Sequence, residues 1–223
     1  MSNKRLPRLA ANTNLSIFTG SEFKGLPIME NKGPFVYQHL DRTLNTINLA
    51  LNDYSRVCAI RFDLRFPENG THYDHTTNSV IKVFVGSLRE KVKSGRNRAA
   101  KSNKRAHDTV VRYTWAREIG AGVNPHYHFL ILLNKDAYYS VGSFDSGFGK
   151  ESMASRIEDA WASALSLSYW DARGLVHIPS NPVYHINSNQ VGVPDLFYRA
   201  SYTCKIGTKV FGSWRHSFGT SRV

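Results

Sequence analysis

Pro125-His126-Tyr127-His128-Phe129-Leu130-Ile131-Leu132-Leu133-Asn134 is a strongly apolar run that opens on two histidines. Its length and its branched and aromatic content predict a strand over His126–Asn134. The run before it, Thr109-Val-Val-Arg-Tyr-Thr-Trp-Ala-Arg-Glu118, predicts another strand. A Gly/Pro-rich turn joins the two, so an antiparallel hairpin is the simplest arrangement. Side chains at i and i+2 of a strand share a face, which points His126 and His128 the same way. Closing the hairpin over residues 119–125 sets Glu118 near His126 and Ala116 opposite His128, with Thr114 on that face. Tyr127 then points to the other face and is expected to pack there.

Outward from the hairpin, the apolar spacing predicts helices over Pro34–Tyr54, Thr76–Lys93, Glu151–Leu167 and Val193–Lys205. In Val57–Phe66, Ile60, Phe62, Leu64 and Phe66 alternate with Arg61, Asp63 and Arg65, which predicts a half-buried strand. Leu175–Ile186, interrupted by Pro179 and Pro182, reads as an edge strand. Residues 1–33 read as an irregular tail or an arm lying on the domain, and 34–223 as one domain. Helices and antiparallel strands interleave without βαβ repetition, so the expected class is α+β: a central antiparallel sheet flanked by helices.

The chain has 223 residues, 41% hydrophobic and 12% aromatic, enough for one sizeable core and too apolar for global disorder. Its formal charge of +12 makes a polyanion the default partner, nucleic acid before an anionic membrane. No stretch approaches the ~18 apolar residues of a membrane span, and the basic N-terminus lacks an apolar signal core. Two cysteines, Cys58 and Cys204, are too few for a disulfide framework and fit a reducing, cytoplasmic setting.

Glu118, His126 and His128 offer one oxygen and two nitrogen donors on one face. That set suits a divalent cation, Mg²⁺ or Mn²⁺, with positions left for water and a phosphate oxygen. The bland alternative is a His pair at the edge of the core; Glu118 and the apolar strand behind the pair weigh against it. Asp63 is the rival third ligand, or a group that orients a ligating His. His72, His75, His177 and His185 have no partner at i+2 or i+4 and read as structural or surface residues. Trp115, Trp161 and Cys204 read as packing.

In Tyr198-Arg-Ala-Ser-Tyr202-Thr-Cys-Lys205, a continuous helix puts both tyrosines and the lysine on one face. A phenol with a pKa near 10 attacks a phosphodiester only where cations withdraw charge from the phosphate and ease formation of the phenolate. The metal supplies the first need and Lys205 the second, or Lys205 holds a phosphate. Two tyrosines permit two successive strand transfers. An aromatic helix face packed on the sheet is the alternative.

Together, in this order, the two constellations resemble the HUH endonucleases, whose name abbreviates His-hydrophobic-His. His126-Tyr127-His128 fits that motif, Tyr198 to Lys205 fits the two-tyrosine version of the following helix, and Ile60–Phe66 looks like the first motif strand. Within the superfamily the chain is most similar to the filamentous-phage (inovirus) gene II type replication protein, grouped with the YagK/YfjJ C-terminal domain family. Arg61–Pro67, His126–Asn134 and Ser217–Arg222 carry that likeness.

The resemblance implies a nickase that starts rolling-circle replication in a bacterial host cell. Its DNA partner is a single-stranded or hairpin origin. Tyr202 or Tyr198 becomes linked to a 5′-phosphate and frees a 3′-OH. No Gly-x4-Gly-Lys-Ser/Thr motif occurs, so a host helicase and DNA polymerase are expected partners. Relaxase and transposase are alternatives inside the superfamily. Outside it, the rival is a non-catalytic single-strand binder that stacks bases on aromatics.

Lys91–Arg105 contains seven positive and no negative side chains. As a loop before the metal-site strand, it is expected to bring Lys91, Lys93, Arg96, Arg98, Lys101, Lys104 and Arg105 to DNA phosphates, sequence-independently. Beyond Asp195 no acid occurs, and Arg199 and Lys209 are expected to extend this track past Tyr202.

Overall fold

The computed structural model describes residues 6–68, 77–102, 105–119, 125–144, 151–211 and 216–221. The N-terminal segment, expected to be irregular, carries short strands β1 (Arg8–Leu9), β2 (Asn12–Phe18), β3 (Glu22–Phe23) and β4 (Leu26–Pro27). β2 pairs with β1 and with β5 (Phe35–Val36), and Phe23 and Ile28 are buried, so the arm seals one side of the core. Helix α1 (Tyr37–Asp53) then leads into β6 (Arg56–Arg65), and α2 (Ser79–Ser102) into the hairpin β7 (Arg112–Ile119) and β8 (Pro125–Asn134). After these come α3 (Met153–Leu165), the short α4 (Tyr169–Ala172), β9 (Val176–His177), β10 (Val183–Asn187), α5 (Val193–Ser201) and β11 (Phe218–Thr220).

The class is α+β, as the sequence predicts. One antiparallel six-stranded sheet runs β10-β6-β8-β7-β11, with β9 continuing the β10 edge along β6. β6 and β8 lie in the middle and are buried on both faces, because helices cover both sides. The hairpin register matches the expected one: Glu118 opposite His126, Arg117 opposite Tyr127, Ala116 opposite His128. β6 adds the third strand of the site, with Asp63 opposite His128 and Arg65 opposite His126.

Strand periodicity sorts the side chains into two cores. Cys58, Ile60, Phe62, Leu64, Tyr127, Phe129, Ile131 and Leu133 point to one face, against Phe84 and Leu88 of α2 and Ile157 and Trp161 of α3. Ser152 starts α3 with a reciprocal cap to Ser155, satisfying N-terminal donors the helix cannot pair itself. Val57, Ala59, Ala116, Leu130 and Leu132 point to the other face, against Leu40 and Ile47 of α1 and Leu196 and Phe197 of α5. Gly192 precedes α5 at φ +76°, and a Cβ there would meet the His185 carbonyl at 2.4 Å. Only glycine lets α5 start this close to β10. Among the described residues no helix is long and apolar enough to cross a membrane.

Two elements differ from the expected ones. The basic run is no loop: α2 continues through it to Ser102, since Lys, Arg and Ala are good helix formers. Gly95 inside it packs beneath the Arg156 guanidinium, where a Cβ would lie 2.8 Å from Nη2. The last helix is also shorter than expected. α5 ends at Ser201, Tyr202–Cys204 form a 3₁₀ turn, and Lys205 leaves helical geometry at φ −58°, ψ 152°.

Candidate metal centre

The second face of the sheet changes character along its length. At one end it is Val57, Ala59, Leu130 and Leu132; at the other it is Arg61, Asp63, Glu118, His126 and His128. Glu118, His126 and His128 bring donor atoms within 4.8 Å of one another, and their Nε2–Oε2 contact between His128 and Glu118 is 3.3 Å. The two imidazole centroids lie 4.7 Å apart.

Asp63 decides which nitrogen of His128 faces the cluster. Its Oδ1 accepts from His128 Nδ1 at 2.6 Å, and a carboxylate only accepts, so Nδ1 carries the proton. Nε2 is left toward Glu118. It is buried and faces Oε2 at 3.3 Å, with no well-formed hydrogen bond of its own. A buried, unpaired imidazole nitrogen is costly unless something else satisfies it. Two ligand atoms about 2.1 Å from one ion are about 3.0–3.4 Å apart in octahedral or tetrahedral geometry. The donor set, the 3.3 Å spacing of its His128–Glu118 pair and the buried nitrogen fit a divalent cation. Asp63 occupies the orienting position rather than that of third ligand.

The electrostatics of these groups set burial against their contacts with one another. Burial alone would raise the Glu118 carboxyl, but nearby His128 and Lys209 outweigh it and hold the group well below the usual carboxylate range. Burial likewise opposes ionisation of Asp63, and His128 and Arg61 overcome it. Burial and the charge on His128 lower His126, which favours its neutral, metal-ligating form. For His128 burial is outweighed by Asp63 and Glu118, so its affinity for a proton rises.

Several partners were not expected. Arg61 Nη2 lies 3.2 Å from Asp63 Oδ1, and His177 Nδ1 lies 3.3 Å from Asp63 Oδ2. The alternation in β6 put Arg61 on the face of Asp63, so that contact had a readable signal. His177 arrives by the pairing of β9 with β6, opposite Asp63, which no local pattern announces. Lys205 Nζ is 3.1 Å from Glu118 Oε2, and Lys209 Nζ is 3.3 Å from Glu118 Oε1. Lys209 also donates to the Lys205 carbonyl at 2.9 Å. Its side chain is fully buried, so it neutralises Glu118 instead of extending a DNA track.

The tyrosines separate. Tyr202 is half-buried beside the cluster, its ring centroid 5.6 Å from that of His128, and Lys205 Nζ sits 3.6 Å from the Tyr202 ring centroid. Tyr198, one turn earlier, is 43% exposed. Arg199 is half-buried close to Arg61, and its Nε has no hydrogen-bond partner.

The basic helix does not converge on the site. α2 packs against the opposite face, and Arg96 Nη1 donates to the Ala137 carbonyl beyond the far end of β8. Arg98 pairs with Glu151, Lys93 and Lys101 are exposed, Lys91 is half-buried, and Arg105 follows the helix on the surface. Lys104, His72 and His75 lie outside the described residues. Tyr127 packs as expected, buried and donating to Asn78 Oδ1 at 3.0 Å. Trp115 and Trp161 are core residues, and burial raises the Cys204 thiol to about 11, that of an inert packed group.

The family model of the YagK/YfjJ C-terminal domain matches residues 18–221. The chain belongs to that family. The matched span takes in every residue of the cluster. The uncharacterized protein YagK of Escherichia coli (strain K12) is 35% identical over 182 residues, covering 77% of this chain and 86% of that protein. The uncharacterized protein YfjJ of the same strain is 28% identical over 204 residues, covering 85% of this chain and 96% of its own length. No solved structure matches the chain.

Proposed function

We propose that the protein is a metal-dependent HUH-type DNA endonuclease that nicks and joins a single-stranded or hairpin origin to start rolling-circle replication. The observation that carries this reading is the approach of the Tyr202 ring to within 5.6 Å of the His128 ring, beside the Glu118–His126–His128 donor set. A tyrosine, a cation site and basic groups in one place are what phosphodiester transesterification needs.

Glu118, His126 and His128 would hold Mg²⁺ or Mn²⁺, which when bound withdraws charge from the scissile phosphate. Asp63 keeps the proton on His128 Nδ1 and so keeps Nε2 turned inward. Arg199, half-buried near Arg61, supplies positive charge for the entering backbone. Tyr202 loses its phenolic proton and attacks phosphorus; the P–O3′ bond breaks, and the departing 3′-oxygen takes up a proton. The products are a 5′-phosphotyrosine and a free 3′-OH. Tyr198, exposed on the preceding turn, is the candidate for a second transfer.

Incubation with labelled single-stranded oligonucleotides and Mn²⁺ tests the reading. The wild type is expected to yield a denaturation-resistant protein–DNA band that EDTA prevents. Tyr202→Phe loses the band and still binds DNA. Full adduct yield from Tyr198→Phe/Tyr202→Phe, or unchanged cleavage in EDTA, would remove the mechanism. Metal-indifferent binding without any adduct would instead identify a non-catalytic single-strand binder.

A further inference from the structure

Among the described residues, two ammonium groups reach Glu118, and they do so in different ways. Lys209 is sealed: its side chain has no exposure, its Nζ takes Glu118 Oε1, and a second hydrogen bond to the Lys205 carbonyl fixes it. Lys205 approaches from the rim. Its side chain keeps 11% exposure, and its Nζ lies over the Tyr202 ring, 3.1 Å from Glu118 Oε2. That oxygen is the one that faces His128 Nε2 at 3.3 Å. The Lys205 backbone is anchored by its bridge to Phe35, and its neighbour Ile206 donates to the Pro34 carbonyl at 2.9 Å. Only the flexible stem is free to swing.

We propose that Lys205 is a resident counter-ion for Glu118 that a divalent cation must displace. An ammonium on Oε2 and a dication on the same oxygen repel strongly in a buried site. Metal entry therefore moves the Lys205 ammonium off the carboxylate, along the face of Tyr202 and toward the mouth of the site, where an incoming phosphate is its next partner. Lys209 stays, because it has no exit. Loading of the metal and delivery of a cation beside Tyr202 become one event. The inference rests on the metal reading above and adds to it an antagonism between Lys205 and the ion.

Isothermal titration of the full chain with Mn²⁺ alone, without DNA, tests it. Lys205→Met keeps the stem and removes the charge; it is expected to bind Mn²⁺ about tenfold more tightly than wild type. Lys205→Arg keeps the charge and stays within about threefold of wild type. Thermal melting gives a second readout. Lys205→Met melts lower than wild type without metal, because Glu118 has lost a partner, and gains more from saturating Mn²⁺. Binding to wild type and Lys205→Met with equal affinity, or weaker binding by the variant, overturns the displacement while leaving the metal site standing. Absence of Mn²⁺ binding in both, matched by His126→Ala/His128→Ala, overturns the metal reading and the displacement with it.

Discussion

The two faces of the six-stranded sheet are made by alternate residues of the same strands, and they are used differently. On the face under α2 and α3, β6 and β8 present Ile60, Phe62, Leu64, Tyr127, Phe129 and Ile131, apolar or aromatic from end to end. On the face under α1 and α5, apolar residues hold one half and Arg61, Asp63, His126 and His128 the other, with Glu118 opposite His126. The first face holds the sheet together. That leaves half of the second to hold buried charges, which contribute little to net stability on their own. Aligning Asp63, His128 and Ala116 across three central strands makes the site as rigid as the sheet itself.

The largest expected effect comes from breaking the apolar face. Phe129 stacks on Phe62 at 5.4 Å and meets Phe84 edge-on at 5.1 Å. Phe129→Ala leaves a cavity there and should cost about 3–5 kcal/mol in urea unfolding. The ring points away from His128, so Mn²⁺ affinity of the molecules that remain folded should not change. A large loss of metal affinity at full folding would show that the two faces are not separable.

Next comes the polar half. Asp63→Asn preserves shape but removes the carboxylate that fixes the His128 proton and answers Arg61. A fall in Mn²⁺ affinity of about 10–100-fold by titration calorimetry is expected. The loss in stability should be smaller than that of Phe129→Ala. Unchanged metal affinity would mean that His128 needs no orienting partner, and would weaken its assignment as a ligand.

A smaller effect concerns His39 of α1, buried on the second face and stacked on Phe218 at 4.2 Å. Burial, then the charges of Lys209 and Arg42, lowers its pKa well below the ordinary value, so it folds neutral. The unfolded chain takes up this proton first. Stability linked to His39 is therefore complete above about pH 6.5 and is lost as pH falls toward the folded value. The slope is at most about 1.4 kcal/mol per pH unit. Urea midpoints at about pH 7.5 and about pH 5.5 should converge in His39→Phe relative to wild type. An identical pH dependence in the variant would place the acid sensitivity elsewhere.

Strand alternation made much of this legible from sequence. His126 and His128 at i and i+2, Glu118 across a short turn, and Arg61 and Asp63 alternating with large apolar residues all follow from a period of two. The helix of the tyrosines was less legible, because one change from α to 3₁₀ geometry at Tyr202 redirects Lys205 from a shared helix face to Glu118. No periodicity encodes such a change. Lys209 and His177 reach the cluster through loops and an edge strand, long-range contacts without a local pattern. The basic run read as a loop because charge dominated its composition, although its Lys, Arg and Ala content favours the helix it forms.

That last correction gives the smallest expected effect. Lys93 and Lys101 are exposed on α2, which packs on the opposite face of the sheet from His128 and Tyr202. A short single strand engaged at Tyr202 need not cross to that side. Lys93→Ala/Lys101→Ala should leave adduct yield at saturating oligonucleotide unchanged and weaken binding by less than about threefold. Arg199→Ala, in the half-buried position near Arg61, should cost more on the same oligonucleotide. If the α2 variant weakens binding more than Arg199→Ala and also flattens the salt dependence by about 0.7 per lost contact, the strand reaches α2. The apolar face would then carry DNA on the outside of its helices, and the division between a structural and a functional face would hold for the sheet alone.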